Sequence, residues 1–284
     1  MTEAEGASTA TPGRLAIGID VGGSGIKAAV VDIDAGHFAS ERLRVVTPNP
    51  ATPEAVIASI GRLVRRLAKA NGLGSTTPVG VGLPGVALDD TLKTAANIDA
   101  SWVDFPVVAR LHKATGRPVR IVNDADAAGI AEMRFGVGKD KLGVVIFLTL
   151  GTGVGSGVFV DGILVPNTEF GQMEIRGRAA ERRSAAAARI RRGLSWKAWA
   201  QDLDEHLHRI DQLMWPTLMI IGGGVSKRGD QYIPRLTVRC PVVAAQLRND
   251  AGIVGAAIVA VEGIGRPSGA DADAPKAPRE HPAP

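Results

Sequence analysis

Apolar residues fall along this chain in short runs that switch between two spacings. Leu15 to Ile19 is an apolar run ending at Asp20, and after a glycine turn a second run extends from Ile26 to Val31. Short apolar runs bounded by turn residues predict buried strands, and a third extended segment over about Phe38 to Val46 gives an antiparallel start. Thr52-Pro53-Glu54 then opens a helix, with a capping hydroxyl, Pro in the first turn and an acid near the positive end. Ile57, Ile60, Val64 and Leu67 keep helical spacing behind it. Val79 to Leu83 predicts the next strand, Pro106 opens a helix through about Ala114, and strand Val119 to Val122 runs straight into Asn123-Asp124. From Ser195 a helix carries the stripe Trp196, Trp199, Leu203, Leu207, Ile210 and Leu213, its tryptophans read as core. Leu218 to Ile221 is a strand ending in Gly222-Gly223-Gly224, and Asn249 to Val261 is a closing helix.

One pattern occurs twice. Residues 17–34 read strand, glycine turn, strand, Asp, and residues 144–162 read the same way. Two similar α/β halves, each presenting a glycine turn, would face a ligand between them. The expected division is a small first half over 14–121, a larger second half over 122–250 and a closing helix at 251–263. The flanks, 1–13 and 264–284, are rich in Pro, Ala, Gly and charge without apolar periodicity, and are expected to be disordered.

Composition narrows the class. With 45% hydrophobic and 22% charged residues the chain is of ordinary globular type. Its 4% aromatics and 35 glycines suit backbone close to a ligand better than an aromatic-lined pocket. The single cysteine, Cys240, excludes an internal disulfide framework and a multi-cysteine zinc site, and reads as a small buried hydrophobe in a reducing compartment. No apolar stretch reaches the roughly 18 residues of a membrane helix, and the N-terminal residues lack the basic start and apolar core of a signal peptide. The expected location is the cytoplasm, with no membrane partner. A formal charge of +4 hints at an anionic ligand.

Glycine turns supply the chemistry. Asp20-Val-Gly22-Gly23-Ser24-Gly25, Leu150-Gly151-Thr152-Gly153-Val-Gly and Ile221-Gly-Gly223-Gly224-Val-Ser226 each follow a strand. Glycine lets backbone N–H groups converge on an anion unobstructed. Ser24, Thr152 and Ser226 add hydroxyls, and Lys27 adds a cation. None has the spacing of a P-loop, and no Gly-x-Gly-x-x-Gly opens a helix, which disfavours a dinucleotide fold. Phosphate binding is the reading that unites the turns.

The order and spacing of these turns resemble the ROK family of bacterial glucokinases and sugar-responsive repressors. Within it the chain is similar to the actinobacterial kinases that use inorganic polyphosphate as well as ATP. That likeness rests on Ala95–Trp102, Asn123–Gly129, Asn167–Gly177, Leu194–Trp199 and Pro241–Asn249, and it spans about residues 15–262. It implies an α/β, actin-like (ribonuclease H-like) sugar kinase fold with two α/β domains flanking a cleft. It also implies a homodimer that moves a phosphoryl group from polyphosphate or ATP to the 6-hydroxyl of glucose.

At the end of a strand, Asp124 reads either as a helix cap or as a catalytic carboxylate, and on the residues alone the two are even. The resemblance assigns it the role of general base, with Asn123 and Asn97 on sugar hydroxyls. Glu169, Gln172 and Glu174 join them at the sugar, Glu169 near its anomeric end. The family commonly has His where this chain has Gln172, and Gln cannot ligate zinc as imidazole can. With no cysteine cluster, the expectation is no structural zinc, and relaxed selectivity that admits mannose. Asp20 is the candidate to orient a Mg2+-bound water.

Seven arginines crowd residues 176–192, with Glu181 the only acid. Such a run is a solvated face, a nucleic-acid patch or a cation track for polyphosphate. No reading helix or exposed aromatics accompany it, so nucleic acid is disfavoured, and Arg176, Arg182, Arg183, Arg191 and Arg192 are the candidate track. Two further readings stay in view. One is an ATP-only hexose or N-acetylhexosamine kinase. The other is a sugar-responsive repressor, disfavoured because only about 16 residues precede the first turn, too few for a helix-turn-helix.

Overall fold

A computed structural model describes residues 13–95 and 98–264. The expectations for the two flanking tails, apart from Gly13 and Ile264, and for Asn97 lie outside the described residues.

Strands β1 (Leu15–Gly22) and β2 (Gly25–Asp32) form an antiparallel hairpin with Gly22 opposite Gly25. β1 thus runs past Asp20, so the carboxylate is borne by a strand and not by the turn. The single extended segment expected after β2 is two short strands, β3 (His37–Phe38) and β4 (Leu43–Val45), both paired with β2. The Ser40 hydroxyl between them accepts the Val30 N–H at 2.9 Å, which interrupts the ladder. Helix α1 (Pro53–Ala70) starts where predicted, the Thr52 hydroxyl accepting from Ala55 N. There follow β5 (Val79–Leu83), a small hairpin of β6 (Ala87–Leu88) and β7 (Thr91–Leu92), α2 (Val107–Thr115), β8 (Val119–Asn123) and α3 (Asp124–Phe135).

The second half repeats the design with β9 (Val144–Leu150), β10 (Val154–Val160) and β11 (Ile163–Val165). Then come β12 (Glu174–Ile175), β13 (Arg178–Ala179), α4 (Glu181–Ser184), α5 (Ala186–Arg191), α6 (Trp196–Met214), β14 (Leu218–Gly222), β15 (Val242–Ala244) and α7 (Ala251–Glu262). The first sheet has the order β3-β2-β1-β5-β8 with β4 also on β2, and the second has β11-β10-β9-β14-β15. In each, an antiparallel hairpin is extended by two parallel strands. The repeat visible in the sequence is the opening hairpin of a duplicated sheet.

Alternation along the strands splits the core into layers. Ile17, Ile19 and Val21 pack with α1 and α2 on one face of the first sheet, while Ala16 of the same strand joins α7. In β9, Val145 and Phe147 join α3 and α7, while Ile146, Leu148 and Leu150 meet α6. Helices α3 and α7 therefore lie between the two sheets. Their close approach depends on missing side chains: a Cβ at Gly80 would run into the Ala256 carbonyl, and one at Gly255 into that of Ala127. Along α6, Trp199, Leu203, Leu207 and Ile210 are buried, but Leu213 is 68% exposed, one residue from the helix end, and leaves the predicted stripe. Helix α7 begins at Ala251, behind a short 3-10 turn at Arg248–Asp250. Paired sheets enclosing two helices are the actin-like, ribonuclease H-like fold implied by the resemblance. Among the described residues, no helix is long and apolar enough to cross a membrane.

Candidate active site

The hairpin tip of the first sheet, the hairpin tip of the second and the end of β14 converge on a cavity of about 220 Å3. Gly22, Gly23, Gly151, Thr152, Gly153 and Gly223 line it, so all three predicted turns contribute. Their neighbours face elsewhere. Ser24, Gly25 and Gly224 are outside the lining; the Ser24 carbonyl accepts from Arg44, and the Ser226 hydroxyl donates to the Gly223 carbonyl at 2.9 Å. Gly223 holds φ at 79° against Leu150, a conformation and a contact that leave no room for a side chain. Lys27 is drawn back into an ion pair with Asp20 at 2.8 Å. The Thr47 hydroxyl donates to the Gly22 carbonyl at 2.5 Å and steadies the first tip.

Asp124 lies on the cavity wall where β8 gives way to α3. The capping role that competed for it falls to Asn123, whose Oδ1 accepts from both Ala125 N and Asp126 N while its Nδ2 donates to the Gly85 carbonyl. Asn123 lines the cavity, but its acceptor is engaged and one N–H remains for a ligand. Asp124 is left to face the cleft. Burial above all, then the negative charge of Asp20, pushes its carboxyl up from 3.8 to about 7, with smaller pushes from Glu169 and Asp126 and a counter-pull from the Ala125 N–H. Two residues on, Asp126 is buried and also raised to about 7, chiefly by desolvation.

The sugar motif is split. Glu169 and Gln172 line the cavity, whereas Glu174 is exposed on β12 and outside the lining. Burial raises the Glu169 carboxyl, with Glu181 adding to the push. Sequence reasoning assigned Glu181 no role, yet it lines the cavity and joins two of its parts: Oε2 accepts from Val154 N at 3.0 Å, and Oε1 accepts from Gln172 Nε2 at 3.2 Å. Its isolation as the one acid in an arginine run was the available signal. Pro84 and Gly85, directly after β5, also line the site and were missed.

The arginine run divides by partner. Arg183 and Arg192 both pair with the largely buried Asp202 of α6, and Arg176 pairs with Glu205 at 2.8 Å. Arg183 and Arg192 tie the α4–α5 segment to α6 and Arg176 ties the β12–β13 turn to it, so these three do not form a free cation track. Arg182 and Arg191 are exposed and have no acidic partner among the described residues, Arg191 donating instead to the Arg182 carbonyl. Cys240 is buried, its thiol raised by desolvation. Among the described residues no three His, Cys, Asp or Glu side chains stand together as a metal-binding group. Asp20 offers an Oδ1 with no hydrogen-bond partner among the described residues, a hard oxygen donor of the type Mg2+ takes alongside phosphate oxygens. As a whole, the cavity sets glycine-rich backbone that can receive an anion beside a carboxylate that can take a proton.

Comparison with known proteins agrees with that chemistry. Residues 16–173 match the model of the ROK family. The chain is 44% identical over 266 residues to the polyphosphate glucokinase of Mycobacterium tuberculosis, covering 92% of this chain and 98% of that one. It superposes on the inorganic polyphosphate/ATP-glucomannokinase of Arthrobacter sp. strain KM with a TM-score of 0.83 and 47% identity, covering 86% of this chain and 97% of the other. A ROK family glucokinase from Streptomyces griseus, solved with glucose and AMPPNP, matches with a TM-score of 0.75 and 27% identity, covering 87% and 99%.

Proposed function

This chain belongs to the ROK family, and from that premise we propose that it is a kinase moving a phosphoryl group from inorganic polyphosphate or ATP to the 6-hydroxyl of glucose and of mannose. One observation carries the reading: Asp124, raised to about 7, shares a cavity with all three glycine turns. A carboxylate whose pKa lies near the working pH can take the hydroxyl proton as the oxygen attacks phosphorus. The turns receive the phosphate chain on backbone N–H groups, where negative charge grows during transfer.

Glu169, Gln172, Glu181 and the remaining N–H of Asn123 hold the sugar hydroxyls, and Asn97 joins them by resemblance. Gln172 keeps one donor and one acceptor and, without an imidazole, relaxes the distinction between glucose and its C2 epimer. The site works without structural zinc, since Cys240 is the only cysteine and Gln172 is no zinc ligand. Asp20 would hold Mg2+, which when bound offsets phosphate charge. Arg182 and Arg191, exposed and without an acidic partner among the described residues, offer guanidinium N–H groups to a long polyphosphate, one N–H of Arg191 being already given to the Arg182 carbonyl. The cleft lies between a first half over 14–121 and a second over 122–250, closed by the 251–263 helix. By resemblance to the kinases of its family, the enzyme acts as a cytoplasmic homodimer on sugar and phosphate, and not on nucleic acid, as the family's repressors do, or on membrane.

A donor panel of ATP, GTP and short and long polyphosphate against glucose and mannose tests this. Sugar 6-phosphate is expected from both sugars, with polyphosphate and ATP as donors. No product from any pairing would end the kinase reading, and turnover of glucose alone would show that Gln172 does not relax selectivity.

A further inference from the structure

The two halves meet through α3 and α7, and most polar links between them end on those helices. Arg14 reaches Glu262, Arg42 reaches Asp250 at the start of α7, and Arg120 reaches the carbonyls of Val259 and Val261. Among the described residues, one side chain alone hydrogen-bonds directly between residues 13–123 and residues 144–244. Asn167 Oδ1 accepts the Ala87 N–H at 2.9 Å, and Asn167 Nδ2 donates to the Ala87 carbonyl at 3.1 Å. The carboxamide thus pairs with one residue's backbone as a neighbouring strand would. The Asn167 N–H donates to Asp126 Oδ2 at 2.8 Å, which fixes the latching residue to α3.

Each end of this contact carries part of the cavity. Ala87 lies two residues after Gly85, which lines the site and whose carbonyl accepts from Asn123 Nδ2. Asn167 lies two residues before Glu169, also in the lining. Its φ of 62° puts it in the left-handed region, which Asn tolerates better than most residues and Gly better still. Resting on the kinase reading above, we propose that Asn167 is the latch that holds the two halves closed over the sugar. It is a positioning residue that touches neither sugar nor phosphate. With the latch intact, the closed form is already favoured when sugar arrives. Without it, part of the sugar's binding free energy goes to closure, and apparent affinity falls by the closed fraction lost.

Asn167→Gly and Asn167→Ala separate latch from backbone. Gly accepts the left-handed conformation, so its melting temperature stays close to the wild type, while Ala is strained there and melts lower. Both variants lose the carboxamide, and both are expected to raise KM for glucose about tenfold with kcat held within about threefold. A wild-type KM in Asn167→Gly overturns the latch, as does a fall in kcat with KM unchanged. Hydrogen exchange over residues 85–92 of the full chain gives a second reading independent of turnover. It is expected to quicken roughly tenfold in Asn167→Gly, and unchanged exchange also overturns the proposal. Should the wild type phosphorylate neither glucose nor mannose, the kinase reading fails and the exchange measurement alone decides the latch.

Discussion

At the level of single residues, the proposed chemistry concentrates on Asp124. Its position after β8 was legible, and base and helix cap were equally good readings of the residues alone; the resemblance favoured the base, and the structure gives the cap to Asn123. The elevated pKa sets the pH dependence. The base acts only when ionised, so log kcat/KM falls with unit slope below about pH 7 and is level above it. Asp124→Asn is expected to lose phosphorylation by roughly three orders of magnitude or more while still binding glucose. Retained turnover would remove the assignment. The same group costs stability when ionised. The unfolded chain releases this proton near 3.8 and the folded chain near 7, so its contribution is complete below 3.8 and lost as pH rises through about 7. Asp124→Asn escapes that titration. Its advantage in melting temperature over the wild type should be small at pH 4, grow to about pH 7 and then stay level. A gap that does not change with pH would mean that the carboxyl is not raised.

Among the elements, the arginine run shows where sequence reading fails. Composition gave a cation-rich stretch, but which guanidinium meets an acid depends on how α4 and α5, broken at Ala185, dock on α6. Arg183→Ala or Arg192→Ala leaves largely buried Asp202 with one partner, and is expected to cost about 1–2 kcal/mol in denaturant unfolding. Replacing Arg182 and Arg191 together by Gln should spare stability and raise KM for long polyphosphate while hardly altering that for ATP. Equal effects on both donors would show these two to be only a solvated face. Glu181 illustrates the same limit, since its helix was hidden in a short charged stretch and only docking brings it to Gln172 and Val154.

Across the whole molecule, the two sheets and the helices between them decide where the site can be. Gly80→Ala would press a methyl into the Ala256 carbonyl and is expected to cost about 1–3 kcal/mol, read as a lower urea midpoint with the slope unchanged. An unaltered midpoint would show that α7 can shift away from the sheet. The amino-acid order alone determined the central strands β1, β2, β5, β8, β9, β10 and β14, the start of α1, the repeated hairpin and the three glycine turns, because period, capping and turn chemistry are local. It left undetermined which turn residues face the cavity, which arginines lack an acidic partner and whether Asp124 caps its helix or faces the cleft. Those depend on partners tens of residues away: Thr47 on Gly22, Asp202 on two arginines, Asn167 on Ala87. Such pairings are fixed only when sheets and helices pack, since a side chain's role is set by which groups surround it and how much water remains.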